Sequence, residues 1–130
     1  MNEPRILVAD DDVDTVTTLT ALLEEEGYEV RGVNRGGDVL QAIFHFAPDV
    51  VLLDIGMPQM TGYEVARVLR ERYGSARPAL IAVTGRSAEA DRQQTRAAGF
   101  EHHVAKPFEP RALLRLIGEL AGGAPDRGTR

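Results

Sequence analysis

Short apolar runs alternate along the chain with longer stretches in which apolar residues recur every three or four positions, so strands and helices are expected to alternate. Arg5-Ile6-Leu7-Val8-Ala9 reads as a first strand and stops at Asp10-Asp11-Asp12. Asp14 or Thr15 can then cap a helix carrying Val16, Leu19, Leu22 and Leu23 on one face, with Gly27 placed to end it. Tyr28 to Val33 is a weaker strand with interleaved polar residues, which suits a position near a sheet edge. Gly36-Gly37-Asp38 opens a second helix with Val39, Leu40, Ile43 and Phe44 inward, and Pro48 closes the connection. Val50 to Leu53 shows no polar alternation, the pattern of a central strand covered on both faces, and ends abruptly in Asp54-Ile55-Gly56-Met57-Pro58.

Thr61-Gly62 leads into a third helix from Tyr63 to Tyr73 with Val65, Val68 and Leu69 on its apolar face, broken by Gly74 and Pro78. Ala79 to Val83 is another continuous apolar strand and runs into Thr84-Gly85. The fourth helix, Ala88 to Ala98, holds mainly Ala and polar residues, so it buries a thin stripe and is the least firmly anchored. Gly99 ends it, and a last strand from Glu101 to Ala105 reaches Lys106-Pro107-Phe108. Pro110 suits the first turn of a final helix with Leu113, Leu114, Leu116, Ile117 and Leu120 on its apolar face.

Five strands alternating with five helices define an α/β fold with a parallel sheet, helices on both faces and right-handed crossovers. The 130 residues predict one domain, taken as residues 5–121, with Gly122 to Arg130 as a flexible Gly, Pro and Arg tail. Ligands of open α/β sheets bind beyond the carboxyl ends of the strands. Four strands here end in capable groups: Asp10 and Asp11, Asp54, Thr84, and Lys106. Each has a bland explanation by itself; together they surround one pocket.

Composition narrows what that pocket does. The chain is 43% hydrophobic, enough for a core, and has no cysteine, which removes disulfides and thiolate metal sites. The start of the chain lacks the basic and apolar regions of a signal peptide and no apolar run reaches membrane-spanning length, so a cytoplasmic location without membrane contact is expected. A net charge of -5 argues against a duplex-binding surface. Of fifteen basic residues, only Lys106 is Lys. Its compact ammonium does not interchange with the planar guanidinium at a tight anion site.

Three crowded carboxylates raise at least one pKa unless a cation intervenes. An all-oxygen ligand set favours magnesium, with manganese possible, over zinc. Lys106 and Thr84 opposite such an ion suit an oxyanion such as a phosphoryl group, and Gly56 and Gly85 leave backbone N–H groups to approach it. Asp54, on the central strand, is the best candidate for a carboxylate nucleophile that carries the group as an aspartyl phosphate.

Leu7-Val8-Ala9-Asp10-Asp11, Val51-Leu52-Leu53-Asp54-Ile55-Gly56-Met57-Pro58, Val83-Thr84-Gly85 and Lys106-Pro107-Phe108 resemble, in order and in strand context, the four signature blocks of response-regulator receiver domains. The resemblance runs from Arg5 to about Ala121 and implies a flavodoxin-like (βα)5 three-layer sandwich with sheet order 2-1-3-4-5. It further implies that Asp54 accepts phosphate from a sensor histidine kinase or histidine phosphotransfer domain. Asp11 and Asp54 would hold magnesium directly, Asp10 through water, and the Gly56 carbonyl would add a ligand. Lys106 would pair with the phosphoryl oxygens, Thr84 would turn toward them, and the Lys106-Pro107 bond would be cis. Such a domain catalyses only its own phosphorylation and dephosphorylation. Its output would be a downstream protein docked on the face of the fourth helix, last strand and fifth helix.

The sequence departs from the pattern at His103, where receivers usually carry Tyr or Phe as a rotating switch. Two readings stay open: a titratable switch ring coupled to Thr84, or a partly exposed surface residue. His102 points to the opposite face and His45 is expected on a helix surface. Gly56 and Arg86 flank the phosphoryl site in the implied arrangement. Three alternative readings compete with this one. A calcium loop on Asp10, Asp12 and Asp14 fails because Thr15 and Ala21 stand where Gly and Glu belong. A haloacid-dehalogenase-like phosphatase would place the nucleophile on Asp10, but the chain is short for it. A receiver-like scaffold that is never phosphorylated is the remaining alternative.

Overall fold

The computed structural model describes residues 3–57, 61–74, 78–85 and 89–121, with the backbone alone for 89–91. Its elements are β1 (Arg5–Ala9), α1 (Val13–Glu25), β2 (Glu29–Val33), α2 (Val39–Phe46), β3 (Val50–Asp54), α3 (Gly62–Tyr73), β4 (Ala79–Thr84), α4 (Glu89–Ala98), β5 (His102–Ala105) and α5 (Pro110–Leu120). All strand pairs are parallel, in the order β2-β1-β3-β4-β5, so the expected α/β architecture and sheet order hold. Strand β2 lies at an edge, as its polar interleaving predicts.

The period of two along each strand divides the core between the faces of the sheet. Leu7, Ala9, Val51, Leu53, Leu80 and Ala82 pack on one side with Val39 and Ile43 of α2 and Val65 and Leu69 of α3. Ile6, Val8, Val50, Leu52, Ile81 and Val83 pack on the other with Leu19 and Leu23 of α1 and Leu113 and Ile117 of α5. Both sets are buried, which is why β1, β3 and β4 read as unbroken apolar runs.

Local chemistry sets several boundaries differently from the sequence expectation. The N-cap of α1 is Asp12, whose carboxylate accepts from the Asp14 N–H at 3.1 Å and from the Thr15 hydroxyl at 2.9 Å. Asp14 and Thr15 are therefore the capped residues and not the caps. A 3₁₀ turn over Gly36–Asp38 precedes α2. Helix α2 buries Val39, Ile43 and Phe46, leaving Phe44 37% exposed, because 39, 43 and 46 share one side of a 3.6-residue helix and 44 lies about 100° round from 43. Helix α3 starts with a capping box of Thr61 and Glu64. It buries Val65, Ala66 and Leu69, while Val68 is only half-buried. Gly32 on β2 lies so close to Val16 of α1 that a Cβ there would overlap the Val16 methyl. The tail at 122–130, together with Pro58 and Arg86, lies outside the described residues.

Candidate functional site

The carboxyl ends of the strands place the candidate groups through backbone bonds before any side chain contributes. The Asp10 N–H donates to the Val33 carbonyl at 3.0 Å, the Ile55 N–H to that of Val83 at 3.2 Å, and the Lys106 N–H to that of Thr84 at 2.9 Å. Parallel pairing thus brings the ends of β1, β3, β4 and β5 into one row. The peptide bond between Lys106 and Pro107 is cis.

Asp10, Asp11 and Asp54 each offer a carboxylate oxygen within 4.8 Å of the others. Asp10 and Asp54 are buried and Asp11 is exposed, so the cluster is sealed below and open above. The Lys106 ammonium reaches over it, 2.7 Å from Asp10 Oδ2 and 3.5 Å from Asp54 Oδ2. Asp10 Oδ1 accepts from the Asp12 N–H at 2.9 Å, which engages both its oxygens. The Gly56 N–H, expected to face an incoming oxyanion, here donates to Asp54 Oδ1 at 3.0 Å. Thr84 is buried at the end of β4 and Gly85 is exposed beside it.

The electrostatics follow from that packing. Burial pushes the Asp54 carboxyl above its ordinary value, and the Asp10 charge and the contact with Asp11 push the same way. The Gly56 N–H and the Lys106 charge oppose the rise without cancelling it. Burial alone would lower Lys106; the hydrogen bond to Asp10 and the charges of Asp54 and Asp10 outweigh it and hold the ammonium above its usual value. Three carboxylates sharing one cation leave an excess of negative charge. Their spacing and all-oxygen chemistry fit a hard divalent ion such as magnesium.

His103 is half-buried, with Nδ1 3.2 Å from the Thr95 hydroxyl of α4. His102 and His45 are exposed, and His45 Nδ1 contacts the Gln41 carbonyl of its own helix at 2.9 Å. Two residues without a distinguishing local pattern, Thr95 and Arg70, also hold elements together. Thr95 is 2% exposed on an otherwise polar helix. Arg70 of α3 donates to the carbonyls of Gly74, Pro78 and Gly99 at 3.2, 3.2 and 2.9 Å. An Arg among other Arg residues on an amphipathic helix reads as a solvated face, and only the tertiary fold brings those carbonyls to it.

A parallel five-stranded sheet with an acidic cluster and a lysine at its carboxyl edge defines a flavodoxin-like α/β domain. The chain belongs to the response regulator receiver domain family, whose model matches residues 6–118. Such domains are signalling modules of two-component systems. The chain is 33% identical to the protein PilH of Pseudomonas aeruginosa over 119 residues, covering 92% of this chain and 98% of that one. It is 35% identical to the aerobic respiration control protein ArcA of Escherichia coli over 129 residues, 99% of this chain and 53% of ArcA. The chain therefore spans about half the length of ArcA. A CheY-like receiver domain protein from Methanospirillum hungatei superposes with a TM-score of 0.84 at 31% identity, covering 92% of this chain and 94% of that one. Among the described residues no helix is long and apolar enough to cross a membrane.

Proposed function

We propose that this receiver takes a phosphoryl group from a phosphohistidine onto Asp54 and signals through the change in partner docking that follows. The carrying observation is the buried Asp54 carboxylate, flanked at one edge by Asp10, Asp11 and Lys106. An Asp54 oxygen attacks phosphorus, an O–P bond forms as the N–P bond breaks, and the departing imidazole takes up a proton. Lys106 moves its charge from Asp10 and Asp54 to the new phosphoryl oxygens, and Thr84 supplies a hydroxyl to them. Asp11 and Asp54 would hold magnesium directly and Asp10 through water, with the Gly56 carbonyl as a further ligand. When bound, that ion neutralises charge developing on the transferred group. Gly85 and Gly56 provide backbone N–H groups at the rim. The expected location is the cytoplasm, with a downstream protein docking on α4, β5 and α5 and no direct contact with nucleic acid.

The test is intact-protein mass after incubation with magnesium and acetyl phosphate. One phosphoryl adduct is expected, dependent on magnesium and missing in Asp54→Asn. No adduct despite demonstrated magnesium binding would favour the scaffold alternative, and an adduct surviving Asp54→Asn would place the chemistry on another carboxylate.

The donor must bring its imidazole over Asp54, so its surface lands on whatever surrounds the open side of the site. Val13, 55% exposed, opens α1 directly after the Asp10–Asp12 run, and a cavity of about 220 Å³ lies between α1 and the start of α5, lined by residues that include Thr18, Leu19, Leu22, Phe108 and Pro110. Leu22→Gln is expected to slow transfer from a phosphorylated histidine phosphotransfer domain by about tenfold, the worth of part of one buried apolar side chain. The rate with acetyl phosphate should be unchanged. Equal slowing with both donors would show that the substitution had disturbed the site itself.

A further inference from the structure

At the edge of the sheet away from Asp54, where α2 and α3 finish and β3 and β4 begin, lies a cavity of about 190 Å³. Among the described residues Ile43, Phe44 and Ala47 line it from the end of α2, Pro48 from the turn that follows, and Tyr73 and Pro78 from the end of α3 and the approach to β4. Phe44 and Tyr73 are 37% and 48% exposed. Their ring centroids are 6.2 Å apart and their planes are inclined at 57°, so the rings form two walls of a corner and not a closed stack.

Three sources of negative potential converge on this corner. The half-buried Asp49 contributes its carboxylate, held in place by the Arg5 N–H at 2.8 Å. Helices α2 and α3 both end here, which brings the negative ends of their dipoles to it. The ring faces add the negative lobes of their quadrupoles. The chain already gathers its own cations at this edge by the same means. Arg5 donates to the Phe46 carbonyl at 2.8 Å and lies 5.5 Å from the centre of that ring, with Arg31 at 4.8 Å. Arg72 lies 4.5 Å from the centre of the Phe44 ring. The ring is what holds Arg72, because among the described residues its guanidinium makes no hydrogen bond or ion pair.

We infer that the cavity is a binding site for a small organic cation, an alkylated ammonium whose methyl groups pack on the two rings and the prolines while its charge faces Asp49. The volume exceeds the roughly 150 Å³ of an apolar cavity that takes up benzene, so a trimethylammonium head with a short arm fits. Ring faces, apolar carbons and one carboxylate suit an alkylated head better than a metal ion, which needs several oxygen ligands, or a primary ammonium, which needs several acceptors. Arg72 is the competitor: its guanidinium covers the Phe44 ring and repels a second cation, so it swings outward as the ligand enters. The site lies at the opposite edge from the phosphoacceptor carboxylate and acts without phosphorylation.

The test is a titration of the whole chain with choline, followed by backbone-amide NMR, beside neohexyl alcohol, which has the shape of choline with carbon in place of the charged nitrogen. Choline is expected to move the amides of Ile43, Phe44, Ala47 and Tyr73 saturably, with a dissociation constant of about 1–10 mM, and the alcohol to bind about tenfold more weakly. Tyr73→Leu, which keeps apolar bulk and removes a ring, should weaken choline about fivefold and leave the alcohol unchanged. Arg72→Gln should tighten choline about threefold by removing the competing charge. Spectra of both variants before any ligand is added report that the fold is kept. Equal binding of choline and the alcohol would leave only an apolar cavity and overturn the inference. So would unchanged choline affinity in Tyr73→Leu, weaker choline binding in Arg72→Gln, or choline shifts confined to the Asp10, Asp11 and Asp54 edge.

Discussion

Lys106→Met is expected to destabilise the magnesium-free chain by about 2–3 kcal/mol at neutral pH, the largest effect on stability of any substitution at the site. The ammonium is 2.7 Å from Asp10 and 3.5 Å from Asp54, and the Asp10 side chain is only 4% exposed. Removing one partner of a buried pair leaves an uncompensated charge worth about 3–5 kcal/mol, trimmed here because 28% of the Lys106 side chain remains in solvent. Met keeps most of the aliphatic volume, so the loss is electrostatic. The pH sense follows from Asp54, whose folded-state pKa is raised. Between the unfolded and folded values the folded chain binds more protons, so this carboxyl lowers stability as pH rises through its folded value and relieves it on acidification. Without Lys106 the rise is larger, and mild acid should recover part of the deficit. Magnesium should recover part of it too, since an ion among Asp10, Asp11 and Asp54 neutralises the same charges. Urea unfolding of both proteins, with and without magnesium at neutral and mildly acidic pH, measures this. A deficit indifferent to both conditions would assign the loss to packing of the lysine stem.

Gly99→Ala carries the second large effect, an expected loss of about 2–4 kcal/mol, and its reach extends beyond one backbone position. Gly99 sits at φ +109°, which a residue with a Cβ adopts only under strain. A Cβ there would also lie 2.8 Å from Arg70 Nε and 2.9 Å from Arg70 Cγ. The guanidinium must shift, loosening its bonds to the Gly74, Pro78 and Gly99 carbonyls together. Combining Gly99→Ala with Arg70→Met isolates this part. The cost of the alanine should fall once the guanidinium is gone, because the two changes remove the same interactions. Full additivity would show that backbone strain alone accounts for the loss.

The fold was legible because β1, β3 and β4 are buried on both faces and leave no polar alternation, while Gly27, Gly74 and Gly99 mark helix ends. The row of acids and lysine was legible because strands of a parallel sheet end on one edge, so residues far apart in sequence share a coordinate once the strands are known. Choices between neighbours within a helical turn were less so. Phe46 and not Phe44 is buried, and Asp12 and not Asp14 or Thr15 caps α1, because a one-residue change in phase decides each. Contacts that bridge elements left no local signal. The closer approach of Lys106 to Asp10 than to Asp54, the hold of Arg70 on three carbonyls and the contact of Thr95 with His103 depend on distances set only by the assembled sheet.

The use of a single lysine has a practical consequence. Lys106 is the only side-chain amine in the sequence, and its ammonium sits at the site with 28% of the side chain open to water. Amine acylation therefore has one side-chain target besides the amino terminus, and its rate depends on how tightly that ammonium is engaged. The molecule carries its own footprinting reporter: protection of Lys106 from acylation, read from one peptide mass, follows occupancy of the site without any substitution.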